Sequence, residues 1–205
     1  MTLTLLHTSP AHIPTFKALA DRIAPGVGLT QIVREDWLKQ ARKHGLRRDL
    51  RDEIAETVSN AKGRVICTCT TIGPAAEAAG AIRIDAPMMA EAARIGGPIL
   101  LVYALESTAE PSLAMLEAAL EKVGTPQVVR PLFLGEFWPL FEAGETEAFA
   151  ACIAGGIRHA LETTEIACVV IAKASMAGAA PLVADLGVPV LTSPELALRA
   201  AAETG

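Results

Sequence analysis

Val65-Ile66-Cys67-Thr68-Cys69-Thr70-Thr71-Ile72-Gly73-Pro74 is the stretch whose reading decides the fold. Its β-branched start suits a buried strand of a parallel sheet, apolar on both faces. Hydroxyls and thiols follow where such a strand should run out. Gly73-Pro74 then leads into Ala75-Ala76-Glu77-Ala78-Ala79, a good helix former with proline near its first turn. Strand, polar turn and helix start in that order mark the edge at which open α/β sheets bind ligands. A thiol there faces the positive end of a helix, which favours the reactive thiolate. Neighbouring hydroxyls and N–H groups suit a carboxylate or phosphate. Cys69 is therefore the candidate reactive residue. The plain alternative is a cysteine packed as a small hydrophobe. Cys67, two positions earlier, is expected inside the sheet. A redox pair is a third reading, although the spacing is C-x-C rather than C-x-x-C.

Outward from this stretch, strand and helix alternate along the chain. Leu3–Leu6 is an expected strand that ends in the polar turn His7-Thr8-Ser9-Pro10, followed by a helix over about Ile13–Ile23. Leu29–Val33 is a short strand, Trp37–His44 and Asp49–Asn60 are helices, and Ala81–Ile84 is a strand. The second half starts over with a strand at Ile99–Ala104, a turn at Leu105-Glu106-Ser107-Thr108 and a helix over about Pro111–Val123. A strand at Gln127–Pro131, helices at Phe137–Ala143 and Glu147–Glu162, and a buried strand at Ala167–Ala172 come next. That last strand ends at Lys173-Ala174-Ser175. The fold class is α/β with mainly parallel sheets.

The order of elements also indicates an internal repeat. When Val65–Thr71 is laid over Val169–Ser175, Cys69 falls on Lys173, 104 positions later (173 − 69), and Thr71 falls on Ser175. His7-Thr8-Ser9 is matched with Glu106-Ser107-Thr108, and Pro87 with Pro194. Two similar lobes with a cleft between them are expected, one from residues 1–96 with 188–205 and the other from 97–187.

Composition narrows the function classes. A net charge of −5 and a pI near 5.4 argue against nucleic-acid or anionic-membrane binding through a general field. The basic run around Arg42, Lys43, Arg47, Arg48 and Arg51 is interleaved with Asp49, Asp52 and Glu53, and reads as a solvated helix face. Mean hydropathy is high at +0.37, but the apolar runs are too short to span a bilayer. The first residues carry no signal-peptide pattern, so a cytoplasmic protein is expected. Four cysteines are too few for a disulfide framework. The four histidines are scattered without metal-ligand spacing, and no Walker or G-x-G-x-x-G loop appears.

With these residues in view, the chain resembles the aspartate/glutamate racemase superfamily, which includes hydantoin racemases, maleate isomerases and arylmalonate decarboxylases. Cys69-Thr70-Thr71 is similar to the family's first Cys-Asn-Thr motif. Ile84-Asp85-Ala86-Pro87 is similar to its following strand end, and Ile171–Met176 stands where its second Cys-Thr motif belongs. The resemblance implies two pseudo-symmetric α/β lobes with the site between them. It also implies cofactor-independent proton transfer at the carbon beside a carboxylate, by two cysteines on opposite faces. By the same resemblance Thr8, Ser9, Thr70, Thr71, Ser107, Thr108 and Ser175 are candidates for binding the carboxylate. Each is equally suited to an ordinary helix N-cap.

The second cysteine is missing, and Lys173 replaces it. Three roles stay open for Lys173: an acid or base, a fixed cation that binds a carboxylate and helps ionise Cys69, or a solvated bystander. The Ser-Gly-Gly-like turn of the amino-acid racemases is also absent, replaced by His7-Thr8-Ser9-Pro10. The expected function is thus an isomerase-like or lyase-like enzyme acting on a small carboxylate through Cys69. The alternatives are an inactive relative that binds a small anion and a thiol sensor. Association into a homo-oligomer is an expectation of the resemblance alone.

Overall fold

A computed structural model describes residues 2–203. Residues 1–87 with 194–205 fall in one compact unit and residues 88–193 in the other. The first contains β1 (Thr2–His7), α1 (Ile13–Ile23), β2 (Gly28–Val33), α2 (Glu35–His44), α3 (Arg48–Asn60), β3 (Arg64–Cys67), α4 (Gly73–Ala78) and β4 (Ile82–Arg83). A helix α5 (Ala86–Ile95) straddles the boundary. The second unit continues with β5 (Ile99–Tyr103), α6 (Glu106–Val123), β6 (Val129–Phe133), α7 (Trp138–Glu142), α8 (Thr146–Thr163) and β7 (Cys168–Ile171). A 3₁₀ segment (Ala174–Leu186) and β8 (Val190–Thr192) complete its sheet, and α9 (Ser193–Glu203) carries the chain back to the first unit.

Each unit holds a four-stranded sheet in which every pairing is parallel, in the orders β2-β1-β3-β4 and β6-β5-β7-β8. The protein is α/β, with two parallel sheets flanked by helices. The inner strands β1, β3, β5 and β7 are buried almost throughout because helices cover both faces, whereas the edge strands β2 and β6 are partly exposed. Pro131 is tolerated on β6 because that strand is an edge. In the first unit Leu50, Ile54 and Val58 of α3 form an i, i+4 stripe packed with Leu6, Trp37, Val65 and Ile72. In the second, Phe149, Ile153 and Ile157 of α8 pack with Val102, Val169 and Ile171.

The repeat is therefore real, and its register can be read from the ladders. Leu6 pairs with Cys67, and Val102 with Ile171. One residue on, Thr68 N–H donates to Leu6 O and Ala172 N–H donates to Val102 O, both at 2.9 Å. Cys69 and Lys173 thus occupy equivalent positions, as the overlay of the two stretches had it. The other overlay is corrected. His7 pairs with Val33 as Tyr103 pairs with Phe133, so His7 corresponds to Tyr103 rather than to Glu106. Glu106-Ser107-Thr108 is not a turn but the opening of α6, with Leu105 as its N-cap and Thr108 N–H bonded to Leu105 O at 2.9 Å. The boundary shifts as well: β8 pairs with β7, so residues 188–193 go with the second sheet instead of the first lobe.

Candidate functional site

β3 stops at Cys67, and Cys69 stands two residues beyond its carboxyl end, half-buried. A turn over 70–72 follows, closed by Gly73 N–H on Thr70 O at 3.3 Å, and α4 begins at Gly73 with Pro74 in its first turn. Thr70 and Thr71 are exposed on this turn. The expected help from a helix dipole is not available: α4 has six residues and starts four positions after Cys69, too short and too far for an effect confined to the first turn. What fixes the far end of the turn is a partly buried ion pair. Arg83 donates from Nε and Nη2 to the two oxygens of Asp85 at 3.1 and 3.2 Å, and the Arg83 side chain packs against Gly73.

Cys67 is sealed in the sheet, as expected. Desolvation pushes its thiol up to about 12, against a weaker opposing effect from its bond to Cys69 O at 3.5 Å. A protonated, inaccessible thiol is a poor partner for Cys69, so the redox-couple reading loses its second member. Cys168 lies inside β7, and burial pushes it up to about 11.

Thr8 and Ser9 follow β1, the neighbour of β3, so they share the carboxyl edge of the first sheet with Cys69, Thr70 and Thr71. Ser9 caps the 3₁₀ turn Pro10–His12, accepting from Ala11 N–H at 3.3 Å, which is the ordinary role of such a serine. Thr8 is buried.

On the second sheet Lys173 follows β7 in an extended conformation and precedes the 3₁₀ segment. Its Nζ lies over the ring of Trp138, 4.7 Å from the centroid, in a cation–π contact. Trp138 in turn lies tilted against Phe141 at 4.9 Å and meets Phe149 edge-on at 6.0 Å. Ser175 Oγ is buried without a hydrogen-bond partner among the described residues, an arrangement that native structures rarely leave unexplained. It does not cap the segment, so the capping alternative fails for this residue. Ser107 and Thr108 sit on the first turn of α6 beyond β5, at the same edge as Lys173 and Ser175, with Ser107 exposed.

Two participants escaped the sequence reading. Trp138 was legible only as part of a helix, although Phe137, Trp138 and Phe141 concentrate three of the chain's few aromatics in five positions. By composition His7 belongs to the polar turn after the first strand. It is in fact the last residue of β1 and almost fully buried, with Nδ1 2.8 Å from Thr68 Oγ1 and Nε2 2.9 Å from Gln31 Oε1.

The described residues contain no group of three or more His, Cys, Asp or Glu side chains able to hold a metal, and no helix long and apolar enough to cross a membrane. The cavities lined by Arg158, Glu162 and Val188 (about 430 Å³) and by Val58, Arg64 and Ile82 (about 460 Å³) open at the amino ends of their sheets, away from these residues.

With this geometry in place, the comparison with solved structures is direct. The fold is that of the amino-acid and allantoin racemases. Allantoin racemase from Klebsiella pneumoniae superposes with a TM-score of 0.69 at 17% identity, covering 99% of this chain and 86% of that one. An aspartate racemase homologue from Pyrococcus horikoshii gives 0.68 at 13%, covering 99% and 98%. Glutamate racemase from Francisella tularensis, solved with D-glutamate, gives 0.66 at 10%, covering 99% and 80%. No protein-family model and no curated protein sequence matches the chain. At these identities the likeness is one of fold.

Proposed function

We propose that this protein is a cofactor-independent enzyme that moves a proton at the carbon beside a carboxylate, with Cys69 as its acid and base. Lys173 and Ser175 hold the anionic group of the substrate. The observation that carries this reading is the pair of equivalent positions: at the same point of the two sheets, one unit presents a half-buried thiol and the other an ammonium seated on an aromatic ring. The unpartnered Ser175 hydroxyl, two residues along the chain from Lys173, is a donor suited to a carboxylate oxygen. The racemase fold adds support, since a solved relative of the same fold carries D-glutamate.

The chemistry follows from having one thiol instead of two. Removal of the proton leaves a carbanion whose charge spreads into the carboxylate, where fixed donors and a cation stabilise it. Cys69 alone returns a proton from one side, which suits isomerisation or decarboxylation better than two-sided racemisation. Thr70, Thr71, Thr8, Ser9, Ser107 and Thr108 are secondary candidates for substrate contact; Ser9 Oγ accepts from Ala11 N–H and keeps its own proton to donate.

Incubation in deuterated water with a panel of amino acids, hydantoins, malonates and maleate tests this. Deuterium incorporation or turnover that is lost in Cys69→Ser, with Lys173→Met raising KM more than it lowers kcat, is the expected result. A carboxylate that stabilises the protein equally well in Cys69→Ala, with no exchange or turnover anywhere in the panel, leaves the binding-only alternative standing.

A further inference from the structure

Side chains from β2 and from the residue just after β3 meet at one buried imidazole of β1, directly ahead of Cys69 in the chain. Gln31 of β2 reaches His7 Nε2 at 2.9 Å, and His7 Nδ1 reaches Thr68 Oγ1 at 2.8 Å. Thr68 Oγ1 also lies 3.0 Å from Leu6 O, the carbonyl that accepts the Thr68 backbone N–H at 2.9 Å. His7 is 1% exposed and Thr68 7%. In such a setting each bond lost leaves a stranded polar group, so the network is costly to break.

The second unit shows that the fold does not need it. By sheet register Tyr103 stands for His7, Ala172 for Thr68 and Pro131 for Gln31. There the same strand ends are closed by a Tyr103–Phe133 ring contact at 5.4 Å and by groups with no side-chain hydrogen bond to offer. One topology has been built twice, and only the copy that bears Cys69 carries the polar bridge. With Cys69 taken as the reactive thiol of the function proposed above, we propose that His7 is a positioning residue. Acting through Thr68, it sets the backbone and the hydroxyl immediately ahead of Cys69, and so the direction in which that thiol is presented.

Counting hydrogens shows how the bridge works. The Thr68 hydroxyl has one proton. When it points at Nδ1, a neutral ring with its proton on Nε2 donates to Gln31, and Leu6 O keeps only the Thr68 backbone N–H. When His7 carries both protons, Nδ1–H must donate to Thr68, whose hydroxyl then turns to Leu6 O. The same heavy atoms serve both states, and the hydroxyl beside Cys69 reports which one is present. Burial, with a smaller contribution from His12, holds the His7 imidazole below its ordinary 6.5 despite the bond to Gln31. Phe16 and His12 face the ring from the helical side, at 5.3 and 6.3 Å between centroids, so His12 is the titratable neighbour to control for.

The experiment follows the reaction of Cys69 with 4,4′-dithiodipyridine from pH 4.5 to 9 in the full chain carrying Cys152→Ser. It compares that protein with His7→Phe, Thr68→Val, Thr68→Ser and His12→Gln. Above the smooth thiolate dependence, the parent should show a step of about fivefold below pH 6.5, the size expected for one hydrogen bond redirected. The step should vanish in His7→Phe and Thr68→Val and persist in Thr68→Ser and His12→Gln. Amide hydrogen exchange at Cys69–Thr71 should quicken in the first two variants and not in Thr68→Ser. A parent profile without the step, or a step that survives Thr68→Val, overturns the assignment; the parent profile decides even if a variant fails to fold. No substrate enters the assay, so a failure here is separable from a failure of the proposed activity.

Discussion

Two peptide units separate Cys67 from Cys69, and the end of β3 falls between them. Inside the strand the thiol is desolvated and pushed up to about 12; beyond it the side chain reaches partial exposure. The position of Cys69 was legible because a β-branched run followed by hydroxyls is how a buried parallel strand announces its end. The surroundings of Lys173 were not legible. The ring beneath it comes from α7, 35 residues earlier (173 − 138), and no local pattern records such a contact. Trp138→Leu should weaken binding of malonate, measured by calorimetry, by about two- to fivefold, the value of a partly exposed cation–π pair of about 0.5–1 kcal/mol. His7 makes its own demand on pH. Its imidazole is held below 6.5, so the unfolded chain takes up the proton first, and the contribution of His7 to stability is present above 6.5 and lost as the pH falls through the folded value. Acid unfolding followed by circular dichroism should be less steep in His7→Phe.

At the level of elements, the expected strands and helices recur within a few residues, because each carries its own period and its own stop. The opening of α6 was the exception. Glu106-Ser107-Thr108 has the composition of a turn, and Pro111 sits where a helix start was expected, yet the helix begins at Glu106 and absorbs the proline in its second turn. Ser107 and Thr108 were thereby matched to the wrong residues of the first half. Packing within α8 offers a sharper test. Gly155 faces open space, whereas a Cβ on Gly156 would meet the Leu134 methyls at 2.8 Å. Gly155→Ala should therefore stabilise the protein by about 1 kcal/mol through helix propensity. Gly156→Ala should destabilise it by about 1–3 kcal/mol through overpacking, despite the same gain in propensity. Urea denaturation of the two variants compares them directly.

On the scale of the whole molecule, the topology repeats but the chemistry does not. Both sheets have the same strand order and the same register at the strand that bears the candidate residue. Alternating strands and helices made that repeat readable, and the overlay failed only where short polar turns had to be matched without a ladder to align them. Each unit also buries a thiol that must stay protonated, Cys67 in one and Cys168 in the other. Folding raises both above the ordinary value of 9.0, so their contribution is complete below pH 9 and lost as the pH rises toward 11 and 12, where the unfolded chain has already released its protons. The urea midpoint should fall over that range, and Cys67→Val with Cys168→Val should flatten the fall.

The return of α9 to the first unit has a consequence for biosynthesis. Ala197, Leu198 and Ala201 of this helix are wholly buried in the complete chain, and the helix groups with the first unit, so that unit is incomplete until residues 194–203 have emerged from the ribosome. The second unit, encoded entirely by 88–193, is available to fold before then. Chains that stop at residue 193 and are joined to a stalled ribosome through a linker long enough to span its exit tunnel should protect the later-made unit from protease while the earlier-made one is still digested, reversing the usual order in which domains mature from the amino terminus.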